Sequence, residues 1–263
     1  MPFKQLTPDA WQQGLRRILI VGPPNSRKTT SLFTWPGPWG VVSYPGEKGY
    51  ASIPVGRAGL SAYVWEDDVV TKTSPSALVK EIETCTFDLL ASKTNPVTTF
   101  CGDGLHKLYG AYINEASNGA YAAGDDFEAK LYSRAHESFA HYLNRVMHSK
   151  VPYVVFTCWD GKEADNPEAG SKSPSHIYPD LPGKMAKRIM GEFSVVLYAE
   201  VSPPIAGQPQ KATWQLQPGG KVWGAGVKIP PEIAAGLPKQ VAQDWTALEP
   251  LLLSKITTPK EGN

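Results

Sequence analysis

The chain has 263 residues, 41% of them apolar and 19% charged, which is ordinary globular usage and excludes a disordered or fibrous protein. Lys plus Arg (26) balance Asp plus Glu (25), so attraction to nucleic acid or membrane has to come from a local patch and not from the overall field. The three cysteines, at 85, 101 and 158, are odd in number and lack C-x-x-C spacing, which argues against a disulfide framework or a zinc site and fits a reducing compartment.

The opening MPFKQLTPDAWQQGLRR has no apolar leader core, and no apolar run reaches the roughly 18 residues that cross a bilayer, so a soluble, unexported protein is expected. RRILIVG (16–22) is a short β-branched run closed by glycine, the pattern of a buried strand that feeds a turn. KTTSLFTW then opens a helix that PGPWG stops. GVVSY (40–44) and AYVWE (62–66) read as strands on either side of the turn PGEKGY. SPSALVKEIETCTFDLLAS (74–92) combines a serine cap, a proline in the first turn and apolar Ala77, Leu78, Ile82 and Leu89 at helical spacing. PVTTFCGD (96–103) is another buried strand. DDFEAKLYSRAHESFAHYLNRVMHS (125–149) predicts an amphipathic helix with the stripe Phe127, Leu131, Ala135, Phe139, Leu143, Val146 and Met147, and with Asp125 and Asp126 at the positive end of its dipole. VPYVVFTCWD (151–160) and EFSVVLYAEV (192–201) complete an alternation of strands and helices that implies a mostly parallel sheet covered on both faces.

GPPNSRKT follows the first of these strands. A phosphate loop needs a strand, a tight turn with inward N–H groups, a lysine for the β- and γ-phosphates and a Ser or Thr for Mg2+. Gly22, Pro23, Pro24, Asn25, Ser26, Arg27, Lys28, Thr29 and Thr30 supply these in order, with Lys28 as the phosphate lysine, Thr29 as the metal ligand and the following helix adding its dipole. Arg27 stands where G-x-x-x-x-G-K-[ST] asks for glycine, at a cost of roughly 1–2 kcal/mol. A simple turn with an exposed lysine is the alternative. VTTFCGD ends in Asp103, the position of an acid that holds Mg2+ through water, and Gly104 and Leu105 after it leave no glutamate next door to orient a nucleophile. His136 and His141 lie about 140° apart on a helix and make no zinc motif, so His136 is expected at the surface, while His106 reads as a helix-start residue.

With ILIVGPPNSRKTTSLFTWPGPWGVVSYPGEKGY, VTTFCGDGLHKLY, VPYVVFTCWDGKEAD and PDLPGKMAKRIMGEFSVVLYAE in this order over about residues 16–200, the chain resembles the RecA-like P-loop ATPases of bacteriophages, AAA-domain proteins that include single-strand annealing recombinases. The resemblance implies a three-layer α/β RecA-like fold with a mostly parallel central sheet. It implies one domain over residues 1–263, with a core to about 200 and a short C-terminal β extension, in the cytoplasm of an infected bacterium. ATP and Mg2+ are the implied cofactors, and single-stranded DNA and further copies of the chain, in a ring or filament, the implied partners.

By the same resemblance Glu47 of PGEKGY polarises the attacking water, although Gly46 and Gly49 also make a plain solvated turn credible, and Thr157 of FTCWD senses the γ-phosphate. Trp159 stands where the family commonly has a histidine. Strand contact is implied for residues 160–190, where Lys162, Lys172, Lys184, Lys187 and Arg188 meet Asp160, Glu163, Asp165, Glu168 and Asp180, so that only GKMAKR is basic. There Lys184, Lys187 and Arg188, with Trp159 and Tyr178 for stacking, form either a DNA contact or a solvated helix face. Lys228 of KVWGAGVKIP is the counterpart of a residue that reaches a neighbouring subunit's nucleotide. Three functions remain open: a DNA-acting recombination or annealing ATPase, a nucleotide-binding scaffold with a degenerate loop, and a small-molecule or nucleotide kinase, for which SKSPSHIYPDLPG offers no arginine-rich lid.

Overall fold

The structure is a computed structural model that describes residues 16–54, 56–65, 73–126, 128–162, 177–182, 185–206, 208–217, 225–228, 234 and 236–253. In chain order the elements are β1 (Arg17–Gly22), α1 (Lys28–Ser31), β2 (Trp39–Ser43), β3 (Leu60–Val64), α2 (Pro75–Ala91), β4 (Thr99–Asp103), α3 (Leu105–Ala116), α4 (Ala120–Ala123), α5 (Ala129–Met147) and β5 (Tyr153–Lys162). They continue with β6 (Ile177–Pro179), α6 (Met185–Ile189), β7 (Val195–Val201), β8 (Ala212–Gln215), β9 (Gly226–Val227), β10 (Gln240–Ala242) and α7 (Trp245–Leu253). Two compact units share them: Met1–Trp35 with Trp159–Asn263, and Pro36–Cys158.

In the first unit β1 runs parallel to β7, in register from Ile18 opposite Val195 to Val21 opposite Tyr198. Strands covered on both faces read as continuous apolar runs, and Ile18, Leu19, Ile20, Val195, Leu197 and Ala199 are all completely buried. Gly22 ends β1 because the strands approach too closely for a side chain: a Cβ there would lie 2.6 Å from the Ala199 carbonyl oxygen. β8 adds antiparallel to β7, β10 antiparallel to β8, and β9 antiparallel to the start of β7, so the order is β10-β8-β7-β1. Trp214 of β8 and Trp245 of α7 pack on Trp35 with ring centroids 5.1 and 5.3 Å away, an arrangement that fastens the C-terminal elements through large apolar contact.

In the second unit β2 lies between β3 and β4, and β4 pairs with β5, all parallel, in the order β5-β4-β2-β3. α2, α3 and α5 pack on one another, and α2 on β2. Ser74 caps α2 by accepting from the Ala77 N–H at 3.3 Å, and Leu78, Ile82 and Leu89 are buried as the spacing predicts, whereas Ala77 is exposed. In α5 the buried residues include Ala135, Phe139, Leu143 and Val146 of the predicted stripe, and Phe127 lies outside the described residues. The helix starts later than its pattern suggests, at Ala129, because Asp125 closes the preceding turn by donating its N–H to the Ala120 carbonyl. Asp125 and Asp126 therefore do not occupy the first turn.

The alternation of strands and helices gives a mixed α/β fold whose central strands pair in parallel, with antiparallel additions at β6, on β5, and in the C-terminal segment. Among the described residues, no helix is long and apolar enough to cross a membrane.

Candidate functional site

The phosphate loop belongs to the first unit. Asn25 and Arg27 both sit in the left-handed region, with φ of 64° and 63°, and Arg27 is the residue that caps α1. Arg27 thus adopts the conformation that a glycine takes freely and a side chain takes at about 1–2 kcal/mol. The loop closes on itself through Ser26 N–H to the Pro23 carbonyl at 3.3 Å and Ser31 N–H to the Arg27 carbonyl at 2.9 Å. Lys28 is only 7% exposed and donates to the carbonyls of Gly22 (2.8 Å) and Pro23 (2.7 Å) and to Ser26 Oγ (3.3 Å), so the alternative of a turn with an exposed lysine does not form. The exposed side chains of the loop are Pro24, Asn25, Arg27 and Thr30, with Thr29 half-buried. α1 is a single turn continued by a 3-10 turn over Leu32–Thr34, which limits its dipole to that of a short helix.

A second group of residues assembles in the other unit. Asp103, 1% exposed at the end of β4, accepts a 2.6 Å hydrogen bond from the Thr157 hydroxyl, which itself accepts from the Gly104 N–H at 2.9 Å. Thr157 is therefore turned onto Asp103 and orients that carboxylate. Gly104 caps α3 with φ of 91°, and a Cβ at this position would come within 2.9 Å of Glu47 Oε2. Its absence makes room for the Glu47 side chain, which packs where the residue after the aspartate would otherwise project. Glu47 is 9% exposed, accepts from the Gly49 N–H at 3.1 Å through Oε1, and places Oε2 3.7 Å from Nε2 of His106. A solvated turn acid is excluded by this burial.

His106 lies in the first turn of α3, as the helix-start residue that the sequence predicts, but its place beside Glu47 was not foreseen; the spacing of Leu105, Leu108, Tyr109, Tyr112 and Ile113 is the signal that puts it on a helix. The turn that carries Glu47 is anchored from below: Tyr44 donates its N–H to the Asp103 carbonyl at 3.0 Å, and its hydroxyl meets Tyr142, which meets Thr86 at 2.8 Å. Burial raises the Tyr44 phenol well above its ordinary range, so it stays a neutral hydrogen-bonding group.

Among the described residues no three His, Cys, Asp or Glu side chains gather to hold a metal by themselves. The Thr29 hydroxyl in the first unit and the Asp103 carboxylate in the second are each, taken singly, an oxygen donor of the kind Mg2+ accepts.

Of the basic residues, Lys187 and Arg188 are exposed on α6, and Lys187 Nζ lies 5.1 Å from the Tyr178 ring centroid. Lys184 lies outside the described residues, as do Glu163, Asp165, Glu168 and Lys172. Lys228 donates to the carbonyl of Gly191 in its own chain.

Among solved structures, the chain is similar to the flagellar accessory protein FlaH from Methanocaldococcus jannaschii, at 12% identity over 80% of this chain and 84% of that one, with a TM-score of 0.39. No curated protein matches it. The model of the AAA domain family AAA_24 matches residues 15–222, a span that holds the phosphate loop, Glu47, Asp103 and Thr157. On that match over most of its length, the chain belongs to the AAA domain family, a family of P-loop ATPases.

Proposed function

We propose that the chain binds MgATP through residues 22–30 and hydrolyses it with Glu47 as the base, in work coupled to single-stranded DNA. The observation that carries this reading is the buried Glu47, held by the Gly49 N–H and by His106, in the space that Gly104 leaves behind Asp103. A carboxylate fixed in one orientation is what a general base requires. Lys28, with the N–H groups of the loop, binds the phosphates. Thr29 and Asp103 are the residues that would hold a magnesium ion, which would supply positive charge to the phosphate oxygens. Thr157 keeps Asp103 in place.

Arg27 is an exposed cation at the start of α1, and its planar fork can pair with phosphate oxygens. Arg27→Gly is expected to change MgATP affinity by less than about tenfold, because relief of the left-handed strain opposes removal of the cation. Turnover is the more sensitive quantity. A large rise in turnover marks Arg27 as a brake and a large fall as a participant; binding that arises only in the glycine variant would favour the scaffold reading.

Lys187 beside Tyr178 and the exposed Arg188 next to it in sequence support the DNA part, and the recombination or annealing role and the ring or filament of identical chains are proposed from the family resemblance. The decisive experiment is ATP hydrolysis with and without single-stranded DNA, where stimulation is expected. Lys187→Ala with Arg188→Ala should flatten the plot of log affinity against log salt by about 0.7 for each DNA phosphate that the variant no longer neutralises. An unstimulated enzyme, or an unchanged slope, would remove DNA from the reading.

A further inference from the structure

The loop is also held by a residue beyond the span of the family match. Gln243, directly after β10, is 9% exposed, and its Nε2 lies 3.0 Å from the Ser26 carbonyl, 3.1 Å from that of Glu200 and 3.0 Å from that of Thr213. With three carbonyls around one amide, only the NH2 end can face them, which fixes its orientation. Among the described residues the buried Oε1 has no hydrogen-bond partner, so the contacts the side chain makes there are donations.

The Ser26 contact bears on the loop's chemistry. In a planar trans peptide the C=O and the following N–H point in opposite directions, so drawing the Ser26 oxygen toward Gln243 sends the Arg27 N–H to the other side. Ser26, whose own φ is not left-handed, sits between two left-handed residues, Asn25 and Arg27, a backbone alternation that makes N–H groups converge into an anion-binding hollow. Left-handed strain at a non-glycine residue persists only where the surroundings over-determine it. A second clasp acts at the far end of the loop's helix, where the Trp245 N–H donates to Thr34 Oγ1 at 2.9 Å and the Trp245 ring stacks on Trp35.

We propose that Gln243 is a positioning residue of the phosphate loop, fixing the Ser26–Arg27 peptide with its N–H toward the phosphates and allowing Arg27 to replace glycine. The proposal rests on the reading of residues 22–30 as the nucleotide site. It is tested in the full chain by Gln243→Met, which keeps the length and drops the donors, and by Gln243→Lys, whose ammonium can still donate to the carbonyls. Amide hydrogen exchange at Ser26 and Ser31, whose N–H groups close the loop on the Pro23 and Arg27 carbonyls, is expected, read without nucleotide, to quicken by about tenfold in the Met variant and to stay near wild type in the Lys variant. MgATP affinity should weaken about tenfold in the Met variant with little change in turnover per bound nucleotide.

A purely structural glutamine would lower melting temperature and loosen the amides of β7 and β8 without selective loss at Ser26 and Ser31. Unchanged exchange at these two amides in the folded Met variant overturns the proposal. Should that variant fail to fold, Gln243→Asn, one methylene shorter, must show the same loop-selective increase, and an unaltered loop overturns the proposal equally. Failure of wild type to bind MgATP would instead remove the nucleotide reading, while the exchange data would still decide whether Gln243 fixes the loop.

Discussion

Replacing Glu47 with glutamine is expected to lower ATP turnover by about 10²–10⁴-fold while leaving MgATP binding intact. The substitution is isosteric, so the amide oxygen can still accept from the Gly49 N–H and the side chain still fills the space beside Gly104. What disappears is the negative charge and the basic lone pair that draws a proton from water. Because the glutamine keeps the volume of the side chain and the acceptor that the Gly49 N–H uses, the melting temperature without ligand should move little. Steady-state hydrolysis together with the ATP-induced melting shift separates the two effects. Unchanged turnover would move the role of base to another residue and leave Glu47 as a packing group.

The sequence made some of this legible because the relevant signals were local. A β-branched run, a proline-rich turn, a lysine and two threonines lie within a few positions of one another, and each strand that ends in a functional residue announces itself by its apolar run. Glu47 was harder, since PGEKGY with its glycines looks like an exposed turn. Its burial depends on Gly104, far along the chain, which leaves the room, and on His106, in the first turn of a helix whose stripe of Leu105, Leu108, Tyr109, Tyr112 and Ile113 is plain only once the helix is assumed. Thr157 shows a different limit. Its position was readable, but its hydroxyl is turned onto Asp103, and only the paired strands β4 and β5 bring those two residues together. Gln243 carried no signal at all, because its hydrogen bond to Ser26 joins residues 217 positions apart and a glutamine after a short strand has no pattern of its own.

Lys28→Ala is expected to abolish the stabilisation by nucleotide. For the wild type, MgATP at 100 times its dissociation constant adds about 2.7 kcal/mol, a shift of roughly 5–10 °C in the melting temperature for a chain of this size. The comparison has to be made between each protein with and without ligand, because Lys28 also has a structural task. Its ammonium, itself buried, donates to the Gly22 and Pro23 carbonyls, so the alanine variant leaves these acceptors short of a donor at about 1–3 kcal/mol for each that stays dry. The ligand-free variant should therefore melt below wild type, and it should then show no further response to MgATP, since the loop is without the cation that meets the β- and γ-phosphates. A variant that melts lower yet keeps the full ATP-induced shift would mean that nucleotide is held elsewhere, and that residues 22–30 form a turn whose lysine serves only to fasten its own carbonyls.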